Sequence, residues 1–200
     1  MKKQTKIQMV VTIGIILNVV GAFIAMTFSI PFYMDSIGTI LIAGLLGPKY
    51  AMLTGVLGSI TSGFTFDMYS FYYAPVQLLT GFFAGILYHT PWLKGKRMPI
   101  GSLLVGIPTS IMSAIITAYV FGGLTAGSSS AFVFLFHNLG LQLVVSIFIV
   151  QIITDYTDKL FAVYFTRLII ERGHLMEKWG GITWKDTATL QTKSKEKSFF

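Results

Sequence analysis

The apolar stretch at residues 37–60 is interrupted at its midpoint by Gly47, Pro48 and Lys49, and that interruption constrains the topology of the whole chain. As one membrane-crossing helix, the stretch would hold Lys49 near the bilayer centre at a cost of about 2.5–3.5 kcal/mol, and Pro48 would remove a backbone hydrogen bond there. As a helical hairpin turning at Gly47 and Pro48, it returns Lys49 to a water interface. Further apolar runs lie at residues 7–28, 73–88, 100–121 and 131–153, each near the roughly 17–25 residues that cross a bilayer. The hairpin, over residues 31–64, makes six spans in all. All 15 lysines and arginines then fall on one side: Lys2, Lys3, Lys6, Lys49, Lys94, Lys96, Arg97, and every one from Lys159 onward. Five spans would put the cluster at residues 94–97 outside, against the excess of positive charge on cytoplasmic loops.

The expected fold is therefore all-α and integral to the membrane: a six-transmembrane-helix bundle with both termini cytoplasmic and a short hairpin, about 16 residues per arm, for spans 2 and 3. Composition agrees, with 12% charged residues against about 25% in soluble domains. The run at residues 7–28 is longer than the roughly 7–15 residues of a signal-peptide core and is expected to be a retained span. Residues 1–165 are read as one six-span substrate-binding domain and 166–200 as a cytoplasmic tail. In this reading Asp155 to Arg172 extend the last helix beyond the membrane, and Trp179-Gly180-Gly181 break it. Small residues at four-residue spacing (Ala51 and Gly55, Ser59 and Gly63, Gly81 and Gly85, then Ser110, Ala114 and Ala118) predict close helix packing. The net charge of +7 is accounted for by orientation and by anionic lipid, and no nucleic-acid partner is implied.

Enzyme chemistry finds little support. The three histidines, His89, His137 and His174, fall at different levels of this topology, and no HExxH or GxSxG motif is present. There is no cysteine and no GxxxxGK[ST] phosphate loop. No catalytic residue, metal or cofactor is assigned to the chain. Ion-driven carriers usually place ionisable groups near mid-membrane, and here only His137 qualifies, so transport would need a partner to drive it.

A binding site is easier to find. The segment FDMYSFYYAPVQ, residues 66–77, leads into the fourth span, where Tyr73, Gln77 and Gly81 share a face. On the sixth span Asn138, Gln142 and Ser146 repeat that spacing beside His137. A polar stripe in so apolar a helix must face protein, water or ligand. Hydrogen bonding between helices is the alternative for these stripes, and interface anchoring is the alternative for the tyrosines. With Asp35 and Asp67 on the same side, the candidate substrate contacts are Asp35, Asp67, Tyr72, Tyr73, Gln77, His137, Asn138 and Gln142. Two carboxylates and no lysine or arginine on the outer half favour a neutral or cationic, partly aromatic ligand.

The segments PFYMDSIGTILIAGLLGPKYAMLTGVLGSITSGF and APVQLLTGFFAGIL, within six spans, resemble the substrate-binding S component of energy-coupling factor (ECF) transporters, the bacterial vitamin-uptake systems. The likeness covers about residues 7–160. It implies a multi-pass protein of the bacterial cell membrane that binds a water-soluble vitamin or precursor near the outer surface. It also implies partners: a transmembrane coupling protein and two cytoplasmic ATPase subunits, which use the ATP. Pyridoxine or hydroxymethylpyrimidine would suit the residues above, and pantothenate would suit a protonated His137 or a helix N-terminus. The family docks through a small-residue pair on the first span, whose nearest equivalent here is Gly21 and Ala25, with Gly14 and Asn18 a turn or two earlier. A membrane-embedded ligand sensor or regulatory subunit is the competing reading.

Overall fold

A computed structural model describes residues 3–123 and 129–172 of the chain. Among the described residues all regular structure is helical: α1 (Lys3–Thr27), α2 (Ile37–Leu46), α3 (Pro48–Thr65), the single turn α4 (Tyr69–Tyr72), α5 (Ala74–Leu87), α6 (Met98–Tyr119), α7 (Ser129–Asn138) and α8 (Leu143–Arg172). Two short 3₁₀ turns, Pro91–Leu93 and Gly95–Arg97, connect α5 to α6. The all-α expectation holds. Two stretches, Gln4–Thr27 and Gly95–Tyr119, are long and apolar enough to cross a membrane.

The break at Gly47 is a sharp turn. Its φ of 84° is open to glycine at little cost, and Pro48 follows at the first helical position of α3, where its missing N–H is not needed. The arms fold back on each other, with Gly55 of α3 against Thr39 of α2. They are unequal, however: α2 has 10 residues and α3 has 18, so α2 is only about 15 Å long at 1.5 Å per residue. It is also the central helix, buried over its whole length except at Leu45.

α1 packs antiparallel on α2. The contact is so close that a side chain at Gly38 would collide with the backbone carbonyl of Gly14. α5 lies antiparallel to α3, with Gly81 against the Met52 backbone and Gly85 against Pro48. Here the ladder of small residues lets backbones meet. The core gathers Ile7, Val10 and Val11 of α1, Ile40, Ile42 and Leu46 of α2, Leu93, Val105 of α6 and Val163 of α8. Arg167 pins the far end of α8, donating through Nε to the Leu93 carbonyl at 2.9 Å and lying 4.6 Å from the Tyr88 ring centre.

The C-terminal half departs from the expected span at residues 131–153. α7 stops at Asn138, Gly140 takes a φ of 97°, and α8 starts at Leu143 and continues without interruption to Arg172. Its buried positions (Ser146, Ile147, Val150, Gln151, Thr154, Asp155, Asp158, Lys159, Ala162, Val163 and Thr166) recur every three or four residues, the signature of one helix face turned inward. Asp155, Asp158 and Lys159 are therefore interior residues of the bundle, not part of an extension beyond it. α8 also carries the chain past residue 165, where the tail was expected to begin; the segment at 179–181 lies outside the described residues.

The bundle has two chemically distinct ends. Lys6, the Gly47 turn with Lys49, Lys94, Lys96, Arg97 and Arg167 gather at one end, as the contacts of Gly85 with Pro48 and of Arg167 with Leu93 show. Asp35 and Asp67 lie at the other. Lys159 breaks the expected one-sided pattern, because its Nζ lies 2.9 Å from Ser36 Oγ, toward the acidic end. The interior is polar for a protein core, with Asn18, Thr39, Gln77, Thr109, Thr117 and Gln151 all buried, while Ile13, Ile16, Val20, Ile107, Ile111, Ile115 and Phe148 face outward.

Candidate functional site

Because α2 is short, the loop at residues 28–36 must enter the bundle to reach it. Ser36 at its start is fully buried. That position would normally cap the helix with its own side chain, but here the cap comes from another helix. Asn18 Oδ1 on α1 accepts from the N–H groups of Gly38 at 2.7 Å and Thr39 at 3.1 Å, and Asn18 Nδ2 donates to Thr39 Oγ1 at 2.8 Å.

The Ser36 hydroxyl is thus free to join α8, donating to Asp158 Oδ2 at 2.7 Å. Its oxygen also lies 3.1 Å from Asp35 Oδ1, so its one proton is shared between two carboxylates, and it accepts from Lys159 Nζ at 2.9 Å and from Gln77 Nε2 at 3.2 Å, which uses both lone pairs. Asp158 also accepts the Met34 N–H at 2.7 Å on Oδ1 and Lys159 Nζ at 2.9 Å on Oδ2. The Lys159–Asp158 pair is almost completely buried, with side-chain exposures of 2% and 1%. Gln77 completes the network from α5: its Oε1 accepts from Thr39 Oγ1 at 3.1 Å, and its Nε2 reaches the Asp35 carbonyl at 3.3 Å. α1, α2, α5 and α8 are tied together by one continuous polar chain.

Toward the acidic end this network floors a cavity of about 30 Å³, room for one or two water molecules. Asp35, Gln77, Ser113, Asp155 and Lys159 line it on the inner side and Tyr33, Asp67, Tyr69, Ser70 and Tyr73 around the rim. Loss of hydration, then the neighbouring Asp158 carboxylate, push the Asp35 carboxyl above its usual range, while Lys159 pulls the other way. The tyrosines close the rim through specific partners: Tyr33 Oη lies 2.9 Å from Ser129 Oγ at the start of α7, and Tyr73 Oη 2.6 Å from Thr117 Oγ1 on α6. Tyr69 meets Phe121 edge-on at 4.8 Å between ring centres. Asp67 has a local role as well, accepting from the Tyr69 N–H at 3.1 Å and Ser70 Oγ at 2.7 Å, which holds the α4 turn.

Of the residues expected to contact substrate, Asp35, Asp67, Tyr73 and Gln77 come together around this cavity. Tyr72 does not line it; it is half exposed and packs on Phe121. His137, Asn138 and Gln142 are exposed at the end of α7 and the turn after it, where His137 Nδ1 lies 2.9 Å from the Leu141 carbonyl oxygen. The supposed polar stripe of Asn138, Gln142 and Ser146 does not exist as a helix face, because the helix is broken between the first two, and Gln142 serves instead as acceptor for the Ser146 N–H at 3.0 Å. The residues that sequence reasoning missed are Tyr33, Ser36, Ser113, Asp155, Asp158 and Lys159. The signal for Asp155 and Lys159 was available: with Gln151 they follow one another at i, i+4 directly after an apolar run.

The four α1 residues expected to dock a partner face into the bundle. Gly14 faces Ile42 and Thr54, Gly21 abuts the Met34 carbonyl, and Asn18 and Ala25 are buried. This face is occupied by the chain's own α2, α3 and the loop before α2, because small residues are what allow those segments to approach. Among the described residues there is no cluster of histidine and carboxylate side chains arranged to hold a metal ion.

No protein-family model, curated protein or solved structure matches the chain.

Proposed function

We propose that this chain is a multi-pass membrane protein whose α1, α2, α3, α5, α6 and α8 traverse the bilayer, and that it is the substrate-binding S component of an ECF-type transporter for a water-soluble vitamin or precursor. The membrane reading is supported by the inverted polarity of the bundle, apolar outside and hydrogen-bonded within, since a buried polar group in lipid must find its partner inside the protein. The basic end, with Lys49 and residues 94–97, corresponds to the cytoplasmic side, which puts both termini there and the tyrosine-rimmed cavity at the outer face of a bacterial cell membrane.

The observation that carries the binding reading is the cavity itself: Asp35, Asp155, Lys159 and Gln77 converge beneath a rim of tyrosines in a bundle whose outward faces are aliphatic. Its size requires the rim contacts of Tyr33 with Ser129 and of Tyr73 with Thr117 to separate before a ring-sized molecule enters. The sequence has no phosphate loop, so uptake would draw on a coupling protein and two ATPase subunits. The four small or polar residues of α1 are packed internally, which leaves the face bearing Ile13, Ile16 and Val20 to meet lipid or that partner.

A ligand sensor is the second reading, favoured by α8, which runs as one helix from the cavity to the basic end. The two are separated by purifying the tagged chain from its native membranes in mild detergent and identifying the proteins that accompany it. Two ATPases and a membrane coupling protein are expected; a kinase or other output protein in their place would overturn the transporter reading.

A further inference from the structure

Resting on the reading of the cavity as a ligand site, we infer that its ligand is held through a positively charged, hydrogen-donating nitrogen bound at Asp155 on the inner wall of the cavity. The acidic groups around the cavity differ in how far their hydrogen-bonding capacity is used. Asp67 accepts from Tyr69 N–H and Ser70 Oγ on its two oxygens. Asp158 is filled by Met34, Ser36 and Lys159. Asp155 differs: it lines the cavity, is only 2% exposed, and its Oδ2 has no hydrogen-bond partner.

One helical turn away on the same face, Gln151 is 1% exposed. Its Nε2 donates to Thr117 Oγ1 at 2.8 Å, while its Oε1 also lacks a partner. Two buried acceptors on one face of α8 are thus left open where burial should demand partners, and of the two residues it is Asp155 that lines the cavity. What is missing is therefore a donor, and the charge of the surroundings says which kind.

Asp35, Asp67 and Asp155 line the cavity against a single cation, Lys159, and that ammonium is already engaged by Asp158 and Ser36. An anionic ligand would meet three carboxylates and no available cation. A neutral donor would fill the open hydrogen bond but add no positive charge where carboxylates outnumber the one ammonium. A protonated amine, amidine or ring nitrogen does both, and the lining includes two tyrosine rings, Tyr33 and Tyr73, of the kind that attract cations. This chemistry disfavours a carboxylate such as pantothenate and takes Lys159 out of the ligand's first contacts.

The test is to purify the full chain from its native membranes, identify the small molecules it retains by mass spectrometry, and repeat this with Asp155→Asn. The expected result is one retained molecule that is cationic at pH 7, present in near-stoichiometric amount, with retention at least about tenfold lower in a D155N protein that melts near the wild-type temperature. An uncharged or anionic molecule, an inorganic ion only, or undiminished retention by D155N would overturn the inference while leaving a ligand-binding protein. Retention of nothing by the wild type would overturn both. Should D155N fail to fold, the molecule retained by the wild type decides alone: a cationic one in near-stoichiometric amount sustains the inference, and an uncharged or anionic one overturns it.

Discussion

Ser36 donates its hydroxyl to Asp158 at 2.7 Å across 122 residues of chain. This bond joins the start of the ten-residue α2 to the middle of α8, the longest helix among the described residues, and through Gln77 and Lys159 it gathers four helices around one buried charge pair. The cavity stands on that junction, so its residues serve the fold and the site together.

Replacing Lys159 with methionine removes the ammonium from a pair buried to 98–99% and leaves Asp158 with only neutral donors. Breaking a buried pair by deleting one partner typically costs about 3–5 kcal/mol, much of it from the charge left behind. Thermal melting in detergent is expected to show a loss of that order for Lys159→Met. The double change with Asp158→Asn is expected to recover a substantial part of it, a coupling that a double-mutant cycle reads directly. Additive losses would mean that the pair does not act as a unit.

Gln77→Ala is expected to weaken both stability and ligand retention, since the amide bonds to Thr39, Ser36 and the Asp35 carbonyl. Each buried partner left unsatisfied costs about 1–3 kcal/mol, corresponding to roughly 5- to 150-fold in binding. Asn138→Ala, at an exposed position, is expected to stay within about 0.5 kcal/mol of wild type and to bind normally. Melting curves and titration calorimetry on the two proteins provide the comparison, and equal effects would move the site toward α7.

Gly21→Leu is expected to destabilise the protein and impair binding, because a side chain there meets the Met34 carbonyl in the loop that leads to Asp35 and Ser36. Overpacking of this kind costs typically about 1–3 kcal/mol. A pure docking residue would behave differently, with normal melting and binding and loss of transport alone.

The transmembrane orientation is checked with single cysteines at Lys49 and at Asn138, both exposed and at opposite ends of the bundle. In intact cells an impermeant thiol reagent is expected to label the cysteine at position 138 and spare the one at 49, with both labelled after permeabilisation. The reverse pattern would invert the assignment.

The sequence by itself determined the helical class, the hairpin turn at Gly47 and Pro48, and four of the polar residues that the fold brings around one cavity, Asp35, Asp67, Tyr73 and Gln77. These are local matters: glycine's access to positive φ, proline's missing N–H, the length of apolar runs and the spacing of residues along one helix. Tertiary structure alone decided that Asp155, Asp158 and Lys159 lie inside. Counted by polarity they look like the first residues beyond a membrane span, and only the Ser36 hydroxyl, the Met34 N–H and the Gln77 amide, brought in from other helices, make their burial tolerable. The same cause turns Gly14, Asn18, Gly21 and Ala25, expected from the sequence to meet a partner, toward the chain's own segments. A row of small residues records that something approaches closely, but which segment approaches is set by the packing of α1 against α2 and α3. For Asn138 and Gln142, an i, i+4 spacing carried meaning only while the helix between them was continuous, and the turn at Gly140 ended it.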